Sequence, residues 1–358
     1  MKMLSDIVRA EVVARGVLPF ARFMELALYC PVHGYYETQK DTVGRRGDFY
    51  TSVSVGELFG QLLAFQFSEW LEAEFKAQDS TPKVSIVEAG AHDGKLACDI
   101  LNWLQMNRPE LFAKIEYCIL EPSPRRCKWQ NETLKHFQNV RWFSRLNDPT
   151  IQRLNGIIFS NELLDAFPVH RFGWDAKAKK WFEWGVAADG EKFVWAKIQN
   201  SEFSIGNPEL EAVLPDNYTV ETSPTAQNWW REAAASLQHG KLLAIDYGLT
   251  ADELFSPQRT NGTLRAYFRH HFADDVLANP GEQDLTAHVN FTEIQKVGEV
   301  VGLKTEIFST QTKFLTQILE KFSKQKTFEW NPARARQFQT LTHPEHLGRA
   351  FRVLVQSR

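Results

Sequence analysis

The stretch KVSIVEAGAHDGKLA, residues 83–97, decides how the rest of the chain is read. Lys83 to Gly90 is a short β-branched apolar run that stops in a turn containing Gly90 and Gly94, and a helical pattern starts at Lys95. Strand, glycine turn and helix open a βαβ unit. A dinucleotide fingerprint counted from Gly90 needs glycine where His92 and Lys95 stand, so NAD and FAD are disfavoured. The phosphate-binding pattern GxxxxGK[ST] is absent at this turn as well, which removes support for nucleotide-triphosphate chemistry.

Outward from this turn the same grammar repeats. EYCILEPS (116–123) reads as a second strand, and Pro124–Phe137 as a helix with proline in its first turn. GIIFS (156–160) is a third apolar run followed by the helix-prone NELLDAFP, and KLLAIDYG (241–248) is a fourth. LKTEIFS (303–309) and AFRVLVQS (350–357) read as the last two strands, the second able to return antiparallel. Alternating strands and helices imply a parallel sheet covered on both faces. Between these units, VHRFGWD, KKWFEWGVA and EKFVWAKI are aromatic strands with polar turns, most simply antiparallel hairpins inserted into the core. Upstream, residues 2–30 read as two helices with Pro19 starting the second, and residues 55–76 as another; the Gly-rich, aromatic segment 30–52 between them reads as a functional loop. The expected organisation is an N-terminal helical cap with a cofactor-covering loop over residues 1–80. An α/β domain over 81–358 then carries a β-rich insertion at about 169–220.

Composition narrows the class. The chain has 358 residues, with 41 Lys+Arg against 44 Asp+Glu, so no chain-wide nucleic-acid footprint is expected. With 26 Phe, 11 Trp and 8 Tyr it is not a disordered chain. Cys30, Cys98, Cys118 and Cys127 form no CxxC pair, which argues against a zinc ribbon and fits a reducing compartment. No apolar run is long enough to predict a membrane-spanning helix. The N-terminus MKMLSDIVRAEVV has no secretory pattern and no Arg- and Ser-rich leader character, so a cytoplasmic location is expected.

The turn at Gly90 suits a ligand of different chemistry. S-adenosyl-L-methionine (SAM) carries a carboxylate that needs backbone N–H donors near a helix N-terminus, and an adenosine that lies along the turn. Glu121 ends the second strand, 27 residues beyond Gly94, where an acid accepts ribose hydroxyls in dinucleotide folds. The competing reading is purely structural: a tight strand-to-helix turn, and an acid capping the helix after Pro122.

The blocks PFARFMELALYCPVHGYY (19–36), GDFYTS (47–52), ELFGQLL (57–63), EAGAHDGKLA (88–97), ILEPSP (119–124) and IIFSNELLDAFPVHRF (157–172) occur in this order. AIDYG (244–248), GTLRAYFRHH (262–271) and NPGEQDLTAHVNF (279–291) follow. This ordered set resembles the MidA-like family of class I SAM-dependent methyltransferases, over nearly the whole chain. The family includes the mitochondrial complex I assembly-factor arginine methyltransferase. The resemblance implies a Rossmann-like sheet of seven strands with an elaborated cap, SAM as cofactor, and a protein arginine as acceptor, in a respiratory-complex subunit for the mitochondrial members. It assigns Glu88, Gly90 and Gly94 to the cofactor turn and Glu121 to the ribose. His92 stands where the family's middle glycine is usual, and His tolerates positive φ better than most residues. The loop Gly47–Ser52, with Asp48, Tyr50 and Thr51 lining the donor pocket, is expected to close over the cofactor. Asn161, Glu162 and Asp165 match the acidic segment beside the methyl group.

An arginine acceptor must be oriented and must lose a proton as it is alkylated, and carboxylates serve both needs. Glu162 and Asp165 are three apart, on one face if the segment is helical. The expected roles are Glu162 as guanidinium anchor, Asp165 as support and Asn161 directing backbone or cofactor; Asn161 as an ordinary helix N-cap is compatible with both. Asp246 and Tyr247 end a strand on the same rim. Arg265, Arg269, His270 and His271, with Asp284, Thr286 and His288, are placed on a protein-substrate groove, His288 equally well as a structural histidine. No GxSxG elbow supports a hydrolase, and no second ligand at suitable spacing supports a metal on His92. The alternatives to a protein arginine methyltransferase are a non-catalytic assembly protein on the same fold and a small-molecule methyltransferase.

Overall fold

A computed structural model describes residues 3–38, 51–77, 84–148, 153–199, 202–268, 271–345 and 347–358. Asp48, Tyr50, Arg269 and His270 lie outside the described residues.

The central sheet is built from β1 (Val84–Ala89), β2 (Ile115–Leu120), β3 (Val140–Phe143), β4 (Leu154–Asn161), β5 (Leu237–Leu249), β6 (Lys304–Thr310) and β7 (Phe351–Ser357). Their spatial order is β3-β2-β1-β4-β5-β7-β6, and a two-residue strand, Val289–Asn290, also pairs with β5. Among the described residues the main path of the sheet has seven strands, and the short strand beside it is an eighth. Pairings from β3 to β5 are parallel, while β7 is antiparallel to both β5 and β6. β1 is buried along nearly its whole length, as a parallel strand covered on both faces must be. The short edge strand β3 carries no alternation strong enough to read from sequence, because only four residues of it pair.

One face of the sheet packs against the helices Leu58–Ala77, Lys95–Asn107, Gln311–Phe322 and Pro332–Thr342 in a core that includes Phe59, Phe67, Ile86, Phe159 and Phe314. The helices Pro224–Ser236 and Phe291–Val300 cover the other face around Trp230, Leu242 and Phe291. The aromatic insertion forms its own antiparallel sheet from His170–Asp175, Lys180–Asp189 and Lys192–Ile198, extended by Thr219–Thr222 and by Leu18–Pro19 from the N-terminal segment. The helices Leu4–Arg15 and Phe20–Tyr29 pack on it through Val8, Val12, Phe20 and Phe23, and the same core takes in Ala266 and Leu285 of a small separate sheet.

The chain leaves β1 toward β2 and β3 on one side, then returns to β4 and β5 on the other. Ligands bind outside the carboxyl ends of parallel strands where the order reverses in this way. A cavity of about 480 Å³ lies there, lined by residues just beyond β1 and by the ends of β4 and β5.

Candidate active site

The floor of the cavity is the first βα turn. Gly90 and Gly94 have φ +77° and +84°, and His92 between them has φ +47°, so His92 holds the left-handed backbone that its position demands. A Cβ on Gly90 would come to 3.0 Å from Leu163 Cδ1. Gly90, His92, Asp93 and Lys95 all line the cavity. Glu88 lies buried beneath them and accepts the Tyr117 hydroxyl at 2.6 Å; burial pushes its carboxyl up to about 8, against that hydrogen bond.

Glu121 is buried beside this turn rather than on the cavity wall. Its Oε1 accepts the Ser123 N–H at 2.9 Å, and its Oε2 accepts the Gln130 amide at 2.9 Å. The same Gln130 nitrogen donates to the His92 carbonyl at 3.1 Å, and Gln130 Oε1 accepts the Trp142 indole N–H at 3.0 Å. Gln130 is fully buried and physically couples the glycine turn to the acid.

At the end of β4 the structure corrects the expected helix. Glu162 has φ +53° and only Leu164–Ala166 forms a single 3₁₀ turn, so Glu162 and Asp165 do not share a helical face and Asn161 caps nothing. The physical reason lies in β5. The buried Asp246 carboxylate accepts the N–H groups of Leu163 at 3.0 Å, Leu164 at 2.7 Å and its own neighbour Tyr247 at 2.8 Å, and also that of Asp165. These donors are the ones a helix would have turned inward, and Pro168 stops the chain two residues after Ala166.

The corrected geometry still gathers the acids. Glu162 lines the cavity; its Oε1 accepts the Ser52 N–H and the Asn161 side-chain amide, each at 3.0 Å, and burial pushes its carboxyl up to about 8. Asp165 is raised well above the usual carboxyl range by burial first, then by Asp246, Asp284 and Glu162, and it is hydrogen-bonded to Asp246. Burial raises Asp246 to about 7 against the pull of its backbone donors. The four N–H groups favour the charge on Asp246, so the shared proton resides on Asp165. Asn161 is 8% exposed, and its Oδ1 is buried with no hydrogen-bond partner among the described residues.

Thr51 lines the cavity, where Thr51 and Ser54 exchange backbone-to-side-chain hydrogen bonds at 3.0 and 3.1 Å. Tyr247, Arg265, Asp284, Thr286 and His288 also line it, whereas His271 does not. Sequence reasoning does not reach Tyr29, Tyr36, Arg126 or Gln130. The Tyr36 hydroxyl donates to Asp284 Oδ1 at 2.8 Å, and the Arg126 guanidinium lies 4.8 Å over the Tyr36 ring, its Nη2 buried without a hydrogen-bond partner among the described residues. No residue spacing signals these partners, since each comes from a different part of the chain.

A Burkholderia thailandensis protein whose crystal structure holds S-adenosyl-homocysteine superposes with a TM-score of 0.84 at 31% identity, covering 99% of this chain and 92% of its own. The mitochondrial protein arginine methyltransferase NDUFAF7 of Danio rerio is 26% identical, covering 96% of this chain and 84% of the relative. Its Drosophila melanogaster homologue is 27% identical, covering 84% and 70%. These relatives, named as mitochondrial, overturn the expected cytoplasmic location; the composition of the first residues does not decide a compartment. Among the described residues no helix is long and apolar enough to cross a membrane. Residues 66–309 match the model of the family described as "Putative S-adenosyl-L-methionine-dependent methyltransferase". With the glycine turn, the sheet order and these likenesses in agreement, the chain belongs to that family and is a SAM-dependent methyltransferase.

Proposed function

We propose that this enzyme methylates an arginine side chain of a protein, with Glu162 as the guanidinium anchor. The observation that carries the reading is the convergence of Glu162 and Asp165 on the cavity at the β4 end, with Asp246 of β5 fully buried behind them and hydrogen-bonded to Asp165. None of the three is ion-paired to Lys or Arg among the described residues. Burying carboxylates without a cation is costly, and an incoming guanidinium supplies the missing charge. The relatives' names support the same acceptor.

The residues present fit the cofactor. Gly90 brings bare backbone to the cavity where a Cβ would crowd Leu163, and Arg126 lines the same cavity with Nη2 buried and without a hydrogen-bond partner among the described residues. Glu88, Gly90, His92 and Gly94 would hold the methionine end, Thr51 would line the donor pocket, and Glu121, buried beside the turn, would position it through Gln130. When bound, the cofactor supplies an electrophilic methyl on a sulfonium. Glu162 Oε1 is already occupied by two donors, which leaves Oε2 for a guanidinium N–H. Asn161 Oδ1 accepts a second N–H and orients the nitrogen lone pair. Glu162 would take up the proton that the guanidinium nitrogen releases as it is alkylated. Asp165 and Asp246 hold the turn that presents Glu162.

The test has two parts. Calorimetric titration with SAM and S-adenosyl-homocysteine, with NADH as control, measures the donor site. Radiolabelled methyl transfer into protein, followed by amino-acid analysis, identifies the acceptor, with respiratory-complex subunits as the first class tried. Label on methylarginine supports the reading. Label confined to small molecules overturns it.

A further inference from the structure

The small sheet beside the cavity has a consequence for acceptor choice. Arg265–Phe268 and Asp284–Thr286 pair antiparallel in the register Arg265↔Thr286 and Tyr267↔Asp284. Side chains alternate across a strand, so these four residues share one face, and all four line the cavity. Ala266 and Leu285, on the other face, are buried in the core with the N-terminal helices.

That cavity-facing wall is electrically polar. At one end Asp284 accepts the Tyr36 hydroxyl and adds its charge to the field on Asp165. At the other end Arg265 is exposed and makes no hydrogen bond or ion pair among the described residues. Its charge reaches His288, which lines the same wall with Nδ1 buried and without a hydrogen-bond partner among the described residues. The two ends are two residues apart along a strand, about 7 Å. That spacing is comparable with the length of an arginine side chain.

Building on the arginine reading, we propose that Arg265 is a specificity residue that binds a carboxylate side chain adjacent to the target arginine in the acceptor. With the guanidinium against Glu162, the acceptor backbone lies at the Arg265 end of the wall. The planar guanidinium of Arg265 matches a carboxylate bidentately, and the free Nδ1 of His288 accepts an N–H from the same segment. An acidic neighbour is thereby favoured and a basic neighbour is repelled.

The probes are C-terminally amidated synthetic peptides, each with one arginine. Asp or Asn stands immediately before or after the arginine, and a matched set carries Gln in place of arginine. Binding to the full chain is measured by fluorescence anisotropy in saturating S-adenosyl-homocysteine. Asp in one of the two positions is expected to bind about tenfold tighter than Asn. Arg265→Gln should erase that preference, Arg265→Glu should reverse it, and Arg265→Lys should keep part of it. Unchanged S-adenosyl-homocysteine affinity in each variant shows that the fold is intact. Equal binding of Asp and Asn peptides, or a preference that survives in Arg265→Gln, overturns the proposal while Arg-over-Gln discrimination keeps the arginine reading. Equal binding of Arg and Gln peptides overturns both.

Discussion

The side-chain amide of Asn161 donates to Oε1 of its neighbour Glu162 at 3.0 Å and leaves its own carbonyl oxygen buried on the cavity wall without a partner among the described residues. The bond fixes which oxygen of each residue remains for an acceptor. It exists because Glu162 takes a left-handed backbone conformation, which no helix would provide.

Glu162→Gln preserves the shape of the site and the acceptor for the Ser52 N–H, and removes the charge. S-adenosyl-homocysteine binding should be unchanged by calorimetry, while methyl transfer to arginine falls by roughly 10² or more. Turnover within twofold of the parent would remove Glu162 from the mechanism.

The pH dependence follows from the direction of the shifts. Glu162, at about 8, is raised above its ordinary value, so it is partly protonated near neutrality. A cationic acceptor needs it ionised, and kcat/KM should climb through this range. Stability of the ligand-free protein runs the other way. A carboxyl raised on folding contributes fully below its unfolded value, and that contribution is lost as pH rises through the folded one. Glu162→Gln should flatten both curves, which pH–rate profiles and urea melts at pH 6 and 9 would show.

Asp246→Ala strands buried N–H groups that share one acceptor. At ~1–3 kcal/mol for each unsatisfied group, partly relieved by water, a loss of about 3 kcal/mol or more is expected. Asp246→Asn keeps an acceptor oxygen and should cost clearly less. Denaturant unfolding of both variants decides this, and equal stability of Ala and Asn would contradict it.

Gln130→Leu keeps the volume near the turn but cuts the link between the His92 carbonyl and Glu121. Affinity for S-adenosyl-homocysteine should fall about tenfold, or ~1.4 kcal/mol. His92→Gly, in contrast, only relaxes a positive φ and should leave affinity within a few-fold. Calorimetry on the two variants side by side separates coupling of the turn from its flexibility.

Much of the sheet was readable because buried parallel strands are runs of apolar residues with glycine or acid at their ends. VSIVEA, IEYCIL and GIIF sit where those runs place them, and His92 keeps the backbone conformation its position requires. The antiparallel return of the last strand was legible as a terminal apolar run. The four-residue edge strand Val140–Phe143 was not, since it is too short to show a period. The segment NELLDAFP looked helical, because local propensity sees its Leu, Glu and Ala but not the Asp246 carboxylate that captures its N–H groups from the neighbouring strand.

The sequence by itself therefore determined the α/β class, the glycine turn after the first strand and the acidic composition of the segment after β4. These depend on residues close together in the chain, where spacing translates directly into geometry. Tertiary structure alone decided which groups meet. Gln130 joins the turn to Glu121, Asp246 shapes the loop that bears Glu162, and the pairing of Arg265 with Thr286 sets a cation at the far end of an acidic wall. Each of these contacts is made by folding together segments whose separation in sequence carries no signal of their distance in space.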